Sequence, residues 1–204
     1  MGILKFTNHS LTINYTCTRH PSRASNALMR LAMKLFLIAL VFISLPANAD
    51  EVSRTYKIKA AFIYNFTKFV IWPQQDSYSD AESFNVCILG DDRLTAAAST
   101  IQGKSVQGKV LQIKTITNAG ENGECEIIFL AMSNTERLKQ ALESIKGTRV
   151  LSVGDSSDFV DNGGIIGLFV ENNKVRFDIN SLAADDSGLK INSRLLELAN
   201  RVIH

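Results

Sequence analysis

The residues best placed for chemistry are Cys87 and Cys125, because the third cysteine, Cys17, falls in a basic, acid-free stretch at the start of the chain. Two thiols in an exported protein form an even pair where disulfides persist. Two buried free thiols are the plainer alternative. Imidazole chemistry has little to work with, since His9 and His20 lie in the same early stretch and His204 ends the chain. A His-based triad, a zinc site with two imidazoles and a His general base are therefore not expected, and there is no Gly-x-Ser-x-Gly elbow. "GKS" at 103–105 looks like part of a phosphate loop, but Ala98 stands where the earlier glycine is required. "GGIIG" at 163–167 precedes a strand, where a dinucleotide fingerprint would follow one, so a tight turn feeding a hairpin is expected. In "GDD" (90–92), Asp91 and Asp92 could hold a divalent cation, yet both also suit the first turn of a helix, whose dipole they complement. No catalytic residue, metal site or cofactor is expected. An enzyme here would have to work with carboxylates and serines alone.

The stretch "MRLAMKLFLIALVFISLPANAD" reads as a secretory signal peptide, with Arg30 and Lys34 before an apolar run from Leu35 to Leu45 and a cleavage site after Ala49. The run is shorter than the roughly 20 residues a bilayer span needs. Residues 1–49 are thus expected as a leader region whose true start is Met29 or Met33, and residues 50–204 as one exported domain with a core of its own. The leader holds five of the 22 basic residues and no acid, leaving 17 basic against 20 acidic residues in the domain. No clustered basic patch argues for nucleic acid.

The elements that must position these residues follow from hydrophobic period. "KIKAAFIYNFTKFVIWP" (57–73) places Ala61, Trp72, Ile58, Phe69, Phe62, Phe66, Val70 and Ile63 on one arc, with Lys57, Lys68 and Tyr64 opposite. An amphipathic core helix is expected, running to Trp72 and stopped by Pro73. Asn65 falls inside that arc, so a structural, buried amide bonded to neighbouring backbone is expected. Strands are expected at "FNVCILG" (84–90), "KVLQIKTI" (109–116), "CEIIFLA" (125–131) and "RVLSVGD" (149–155), with helices at 91–103 and 133–147. "IIGLFV" and "KVRFDI" flank Asn172-Asn173 as a hairpin at one side of the sheet, and Ile191, Leu195, Leu198, Ala199 and Val202 mark a closing helix. The fold class is α/β: a single three-layer domain with a mostly parallel central sheet, an antiparallel C-terminal hairpin and helices on both faces. With strand order 2-1-3, Cys87 and Cys125 become neighbours, and one disulfide between them is geometrically allowed. A small-molecule receptor would use the loops after the parallel strands, at Gly90, Asp91, Ser133, Gly154 and Asp155.

From about Tyr56 to Val202 the chain resembles the YfiR family of exported regulators. The resemblance rests on "KAAFIYNFTKFVIWP", "CILG", "CEIIFLA", "VLSVGDSSDFVDNGGIIGLFVENNKVRFDIN" and "GLKINSRLLELANRV". Cys87 and Cys125 occupy the family's strand-associated cysteine positions; a second pair found in some members is absent. The resemblance implies a non-enzymatic periplasmic protein that binds and represses the sensor domain of an inner-membrane diguanylate cyclase, lowering cyclic di-GMP and biofilm formation. An outer-membrane lipoprotein would release it, and a homodimer stays open. On that reading the turn "GDSSDF", with Asp155 and Phe159, and the hairpin residues Glu171, Lys174 and Arg176 are the candidate partner contacts. The competing reading is a periplasmic small-molecule receptor.

Overall fold

The computed structural model describes residues 29–31, 33–34, 47–72 and 82–204. The chain divides into two units, 1–46 and 47–204. In the first, residues 29–31 and 33–34 are helical; residues 32 and 35–46 of the expected signal peptide lie outside the described residues, as does Pro73. The second unit carries the fold.

Its first element is α1, Ala47–Phe69, a helix of 23 residues whose first turn contains the expected cleavage position. The buried stripe is Ala60, Ile63, Phe66, Thr67 and Val70. That stripe is centred on Ile63. Asn65, two residues and therefore about 200° further round, is exposed, and its side-chain oxygen accepts from Lys68 Nζ at 3.3 Å. The expectation of a buried Asn65 is corrected, and Ala61 and Ile58 face solvent for the same reason. Lys59 lies inside the buried arc instead.

The helix also stops earlier than its apolar run. Val70–Ile71 form β1, paired antiparallel with β9, Lys190–Ile191. Two β-branched residues favour the extended backbone, and Phe69 O accepts from Asn192 N at 2.9 Å, which ties the helix end to the same segment.

The main sheet comprises β2 (Ser83–Leu89), β3 (Ser105–Val106), β4 (Lys109–Thr115), β5 (Ile127–Leu130), β6 (Leu151–Gly154), β7 (Ile166–Glu171), β8 (Lys174–Asn180) and β10 (Arg201–Ile203). Their spatial order is β10-β8-β7-β6-β5-β2-β4-β3. The strands β4, β2, β5, β6 and β7 run parallel, so β2 lies between β4 and β5 as the 2-1-3 order requires. The hairpin β7–β8 is antiparallel, with Asn172 and Asn173 at φ 50° and 59° supplying the left-handed turn that two-residue hairpins need. Helix α2 (Asp92–Ala98) is shorter than the expected 91–103, and α3 (Thr135–Ile145) starts at the cap Asn134.

The expected closing helix is divided in three. Ile191 belongs to β9, only Ser193–Leu198 are helical (α5), and Val202 lies in β10, parallel to β8. A short helix α4, Ser181–Asp186, precedes them, capped by Asn180. Alternating strand residues then build two apolar layers. One joins α1, α2, Ala184 and Leu195 to Val86, Ile88, Ile127, Phe129, Leu151, Val153 and Ile166. The other joins α3 to Cys87, Leu89, Ile128, Leu130 and Phe159.

Candidate functional site

Parallel strands end at one edge of the sheet, and most of the candidate residues follow those ends. Gly90 follows β2 with φ +86°, a left-handed turn, and a side chain there would meet the Ala131 carbonyl oxygen at 2.9 Å. The backbones just beyond β2 and β5 therefore run close together there. Asp91 is the helix cap of α2, accepting from the N–H groups of Arg93 and Leu94, both at 2.9 Å. Ser133 is exposed just before the α3 cap. Among the described residues there is no cluster of three metal-ligating side chains.

Gly154 ends β6 and Asp155 follows it, and each is engaged internally. Lys59 Nζ, with its side chain 6 % exposed, pairs with Asp155 Oδ1, whose side chain is 24 % exposed. Sequence alone assigned Lys59 no role; its angle inside the buried arc was the signal that it needed a partner. This ion pair fastens α1 over the end of β6.

Phe159 is a correction: it is 1 % exposed and cannot be a direct partner contact. Its ring occupies a slot walled by glycines. A Cβ at Gly154 would fall 1.9 Å from the ring, one at Gly164 2.0 Å, and one at Gly167 3.2 Å from Phe159 Cβ. Any side chain at the first two would displace the ring, and one at Gly167 would meet Ser156 O at 2.7 Å, so "VGDSSDFVDNGGIIG" encodes one aromatic lodged against the bare backbones of Gly154 and Gly164. The loop is also tied by Gly164 N donating to Phe159 O at 3.0 Å, Ile165 N to Ser152 Oγ at 2.9 Å and Asn180 Nδ2 to Val160 O at 3.1 Å.

Arg201 closes the same region from β10. Its guanidinium donates to both carboxylate oxygens of Asp161, at 2.9 and 2.8 Å, and from Nε to Asp178 at 3.1 Å. Asp178 is buried and also accepts from Asn200 Nδ2 at 3.0 Å. The guanidinium hydrogen bond holds the Asp161 carboxyl below the usual carboxylate range, and the same bonds push the Arg201 guanidinium further up.

The hairpin projects from this edge. Gly154, the last residue of β6, pairs with Gly167, and β7 continues to Glu171, so the tip stands about 13 Å beyond. Glu171 and Arg176 form an ion pair of 2.7 Å on its surface, Lys174 is exposed, and Val170 is 50 % exposed. The structure thus separates the partner candidates into an exposed hairpin group and a buried Phe159, with Asp155 between them.

At the opposite edge Trp72 Nε1 donates to the Glu126 carbonyl at 3.3 Å, and its ring meets Phe84 edge-on at 5.2 Å between centroids. Cys87 of β2 and Cys125, two residues before β5, are joined by a disulfide with Cα atoms 5.9 Å apart. A depression of about 550 Å³ opens between α3, the turn 161–163 and the start of α4. None of the candidate residues lines it.

Residues 56–200 match the model of the YfiR/HmsC-like family. The chain belongs to that family. Among solved structures, a conserved domain protein from Vibrio cholerae O1 biovar El Tor is similar at 12 % identity and a TM-score of 0.48, covering 72 % of this chain and 60 % of that one. The ABC domain of a Streptococcus pneumoniae protein in complex with L-Trp is similar at 12 % identity and a TM-score of 0.44, covering 59 % and 55 %. The YfiR/HmsC-like chain therefore spans less than two thirds of either structure. No helix among its described residues is long and apolar enough to cross a membrane.

Proposed function

We propose that the protein is exported by a cleaved leader and represses an inner-membrane diguanylate cyclase by binding its periplasmic sensor domain. Family membership supports the signalling pathway. The observation that carries the contact is the construction of the carboxyl edge. A loop locked by Phe159 and Arg201, and a helix fastened by Lys59, support a hairpin whose charged and apolar tip projects from the edge. Exposed Val170 stands opposite half-buried Val175 on one face of the hairpin, and Phe169, Glu171, Lys174 and Arg176 lie on the other, so the tip offers a partner both apolar and charged side chains. In this reading Asp155 and Phe159 shape the patch and the hairpin touches the partner. Release of the repressor, by an outer-membrane lipoprotein or otherwise, frees the cyclase.

The test combines deletion with capture. Loss of the gene should raise cyclic di-GMP and surface attachment, and periplasmic pull-down should recover the cyclase. Val170→Asp with Arg176→Glu should abolish capture while the melting temperature stays within a few degrees of wild type. Unchanged cyclic di-GMP in a strain that expresses the protein would refute repression; capture by the hairpin variant would refute this contact surface.

A further inference from the structure

The exposed side of α1 carries a row of cations that the fold does not neutralise. At 100° per residue, Arg54, Lys57, Ala61, Tyr64, Asn65 and Lys68 fall within a stripe about 100° wide, and Arg54 and Lys68 stand about 21 Å apart along the axis. All but the half-buried Tyr64 are exposed. Lys104, from the turn after α2, adds a fourth cation: its Nζ lies 4.8 Å from the Tyr64 ring centroid, with Lys68 Nζ at 4.5 Å. Elsewhere among the described residues Lys59 pairs with Asp155, Lys146 with Glu143, Arg176 with Glu171 and Arg201 with Asp161. Among the described residues none of Arg54, Lys57, Lys68 and Lys104 forms an ion pair. This concentration occurs in a domain in which acids outnumber bases, 20 to 17.

We infer that this face of α1, together with Lys104, docks on an anionic lipid surface. Charge complementarity selects a negative partner, and the shape of the row selects a planar one. A protein partner would need an apolar centre to bury, and here the stripe offers only Ala61 and a tyrosine already covered by two ammonium groups. Lysine stems on an exposed helix suit a plane of phosphate head groups, to which each nearby cation strengthens binding about fivefold. The inference does not depend on the repression proposed above; it would hold the protein where any membrane-borne partner is found.

The experiment is co-sedimentation of the purified protein with phosphatidylglycerol-rich vesicles and with pure phosphatidylcholine vesicles. Binding is expected to the first alone, and it should vanish near 1 M salt, where the screening length falls to about 3 Å. The triple variant Lys57→Gln, Lys68→Gln, Lys104→Gln should lose roughly a hundredfold in vesicle affinity, and Lys104→Gln alone about fivefold. A control of equal charge, Lys139→Gln, Lys146→Gln, Arg149→Gln, should keep most of it. No binding to anionic vesicles, or an equal loss in the control, overturns the inference. So does a stripe variant that keeps vesicle binding yet loses a protein partner, which would make the row a protein surface.

Discussion

On one face of the sheet α1 lays Ala60, Ile63, Phe66 and Val70 over a continuous apolar layer, and rings pack to rings, Phe66 standing 5.5 Å from Phe177 and 6.0 Å from Phe62. On the other face the eleven-residue α3 covers the middle strands, while a disulfide at one end and the Phe159 loop at the other complete the cover. The first face is held by area, as a long amphipathic helix allows. The second has less helix to bury and relies on a covalent bond and on close backbone approach at glycines. Injury to the first face should therefore scale with the volume removed, and injury to the second should depend on individual residues.

The largest expected effect is on the first face. Phe66→Ala should destabilise by about 3–5 kcal/mol, since the ring is fully buried. Half-buried Phe62 should lose less on truncation, and urea titration of both variants checks the order. Partner binding should fail with folding in Phe66→Ala. A variant that melts like wild type yet loses its partner would move the interface onto α1.

Next comes the disulfide. The Cys87–Cys125 bond closes a separation of 38 residues, for which the chain-entropy estimate is about 4 kcal/mol. Reduction should lower the melting temperature, and cells lacking disulfide-forming enzymes should accumulate less folded protein. Thiol labelling of denatured, unreduced protein should find neither cysteine reactive; two reactive thiols per chain would remove the bond from the account of the second face.

Smaller still is the effect of crowding the Phe159 slot. Gly164→Ala places a methyl where the ring lies 2.0 Å away, and overpacking of this kind costs about 1–3 kcal/mol. Phe159→Leu in the same chain should recover part of that loss, because the smaller side chain vacates the slot. A double-mutant cycle measures the coupling, and strict additivity would mean that the glycine is required for some other reason.

How much of this was legible follows the same division. The 3.6-residue period of α1 and the apolar runs at Phe84–Leu89 and Ile127–Leu130 announced the first face, because burial of a whole stripe leaves a periodic trace. Sheet order and the cysteine pairing followed from βαβ topology. Period alone placed the arc too far round, which put Asn65 inside; Lys59 fell between Phe66 and Val70 on the same wheel, a sign that it needed a partner, but which partner, 96 residues away, the wheel could not tell. The ends of α1 and α5 were misjudged because pairing of Val70–Ile71 with Lys190–Ile191, and of Arg201–Ile203 with β8, overrode helical pattern through tertiary hydrogen bonds. The slot for Phe159 was hidden differently. Its trace is an absence of side chains at Gly154, Gly164 and Gly167, and glycines that make room look like glycines that make turns.

The smallest expected effect sharpens the contrast at the amino edge, beside the disulfide. Glu126 lies half-buried next to Cys125, and its side-chain oxygen accepts from Asn85 N at 2.6 Å. Desolvation raises its pKa above 4.5, with the Asn85 N–H and the charges of Lys109 and Lys114 pulling the other way. A carboxyl whose folded pKa is raised binds its proton more readily in the native state, so this group adds stability as pH falls through its folded pKa toward 4.5. Asp161 has the opposite sign, because its pKa is lowered from 3.8: its contribution is present above that value and is lost as pH falls through the folded pKa. Glu126→Gln keeps an oxygen for Asn85 N and removes the desolvated charge, so at neutral pH it should gain roughly 0.5 kcal/mol, within the range of ordinary surface changes. The more telling readout is the slope: unfolding free energy measured from neutral pH down to 4.5 should rise on acidification by more in wild type than in the variant. Parallel curves would show that hydrogen bonding and lysine charge cancel the burial, and that this end of the second face carries no electrostatic strain beside its covalent bond.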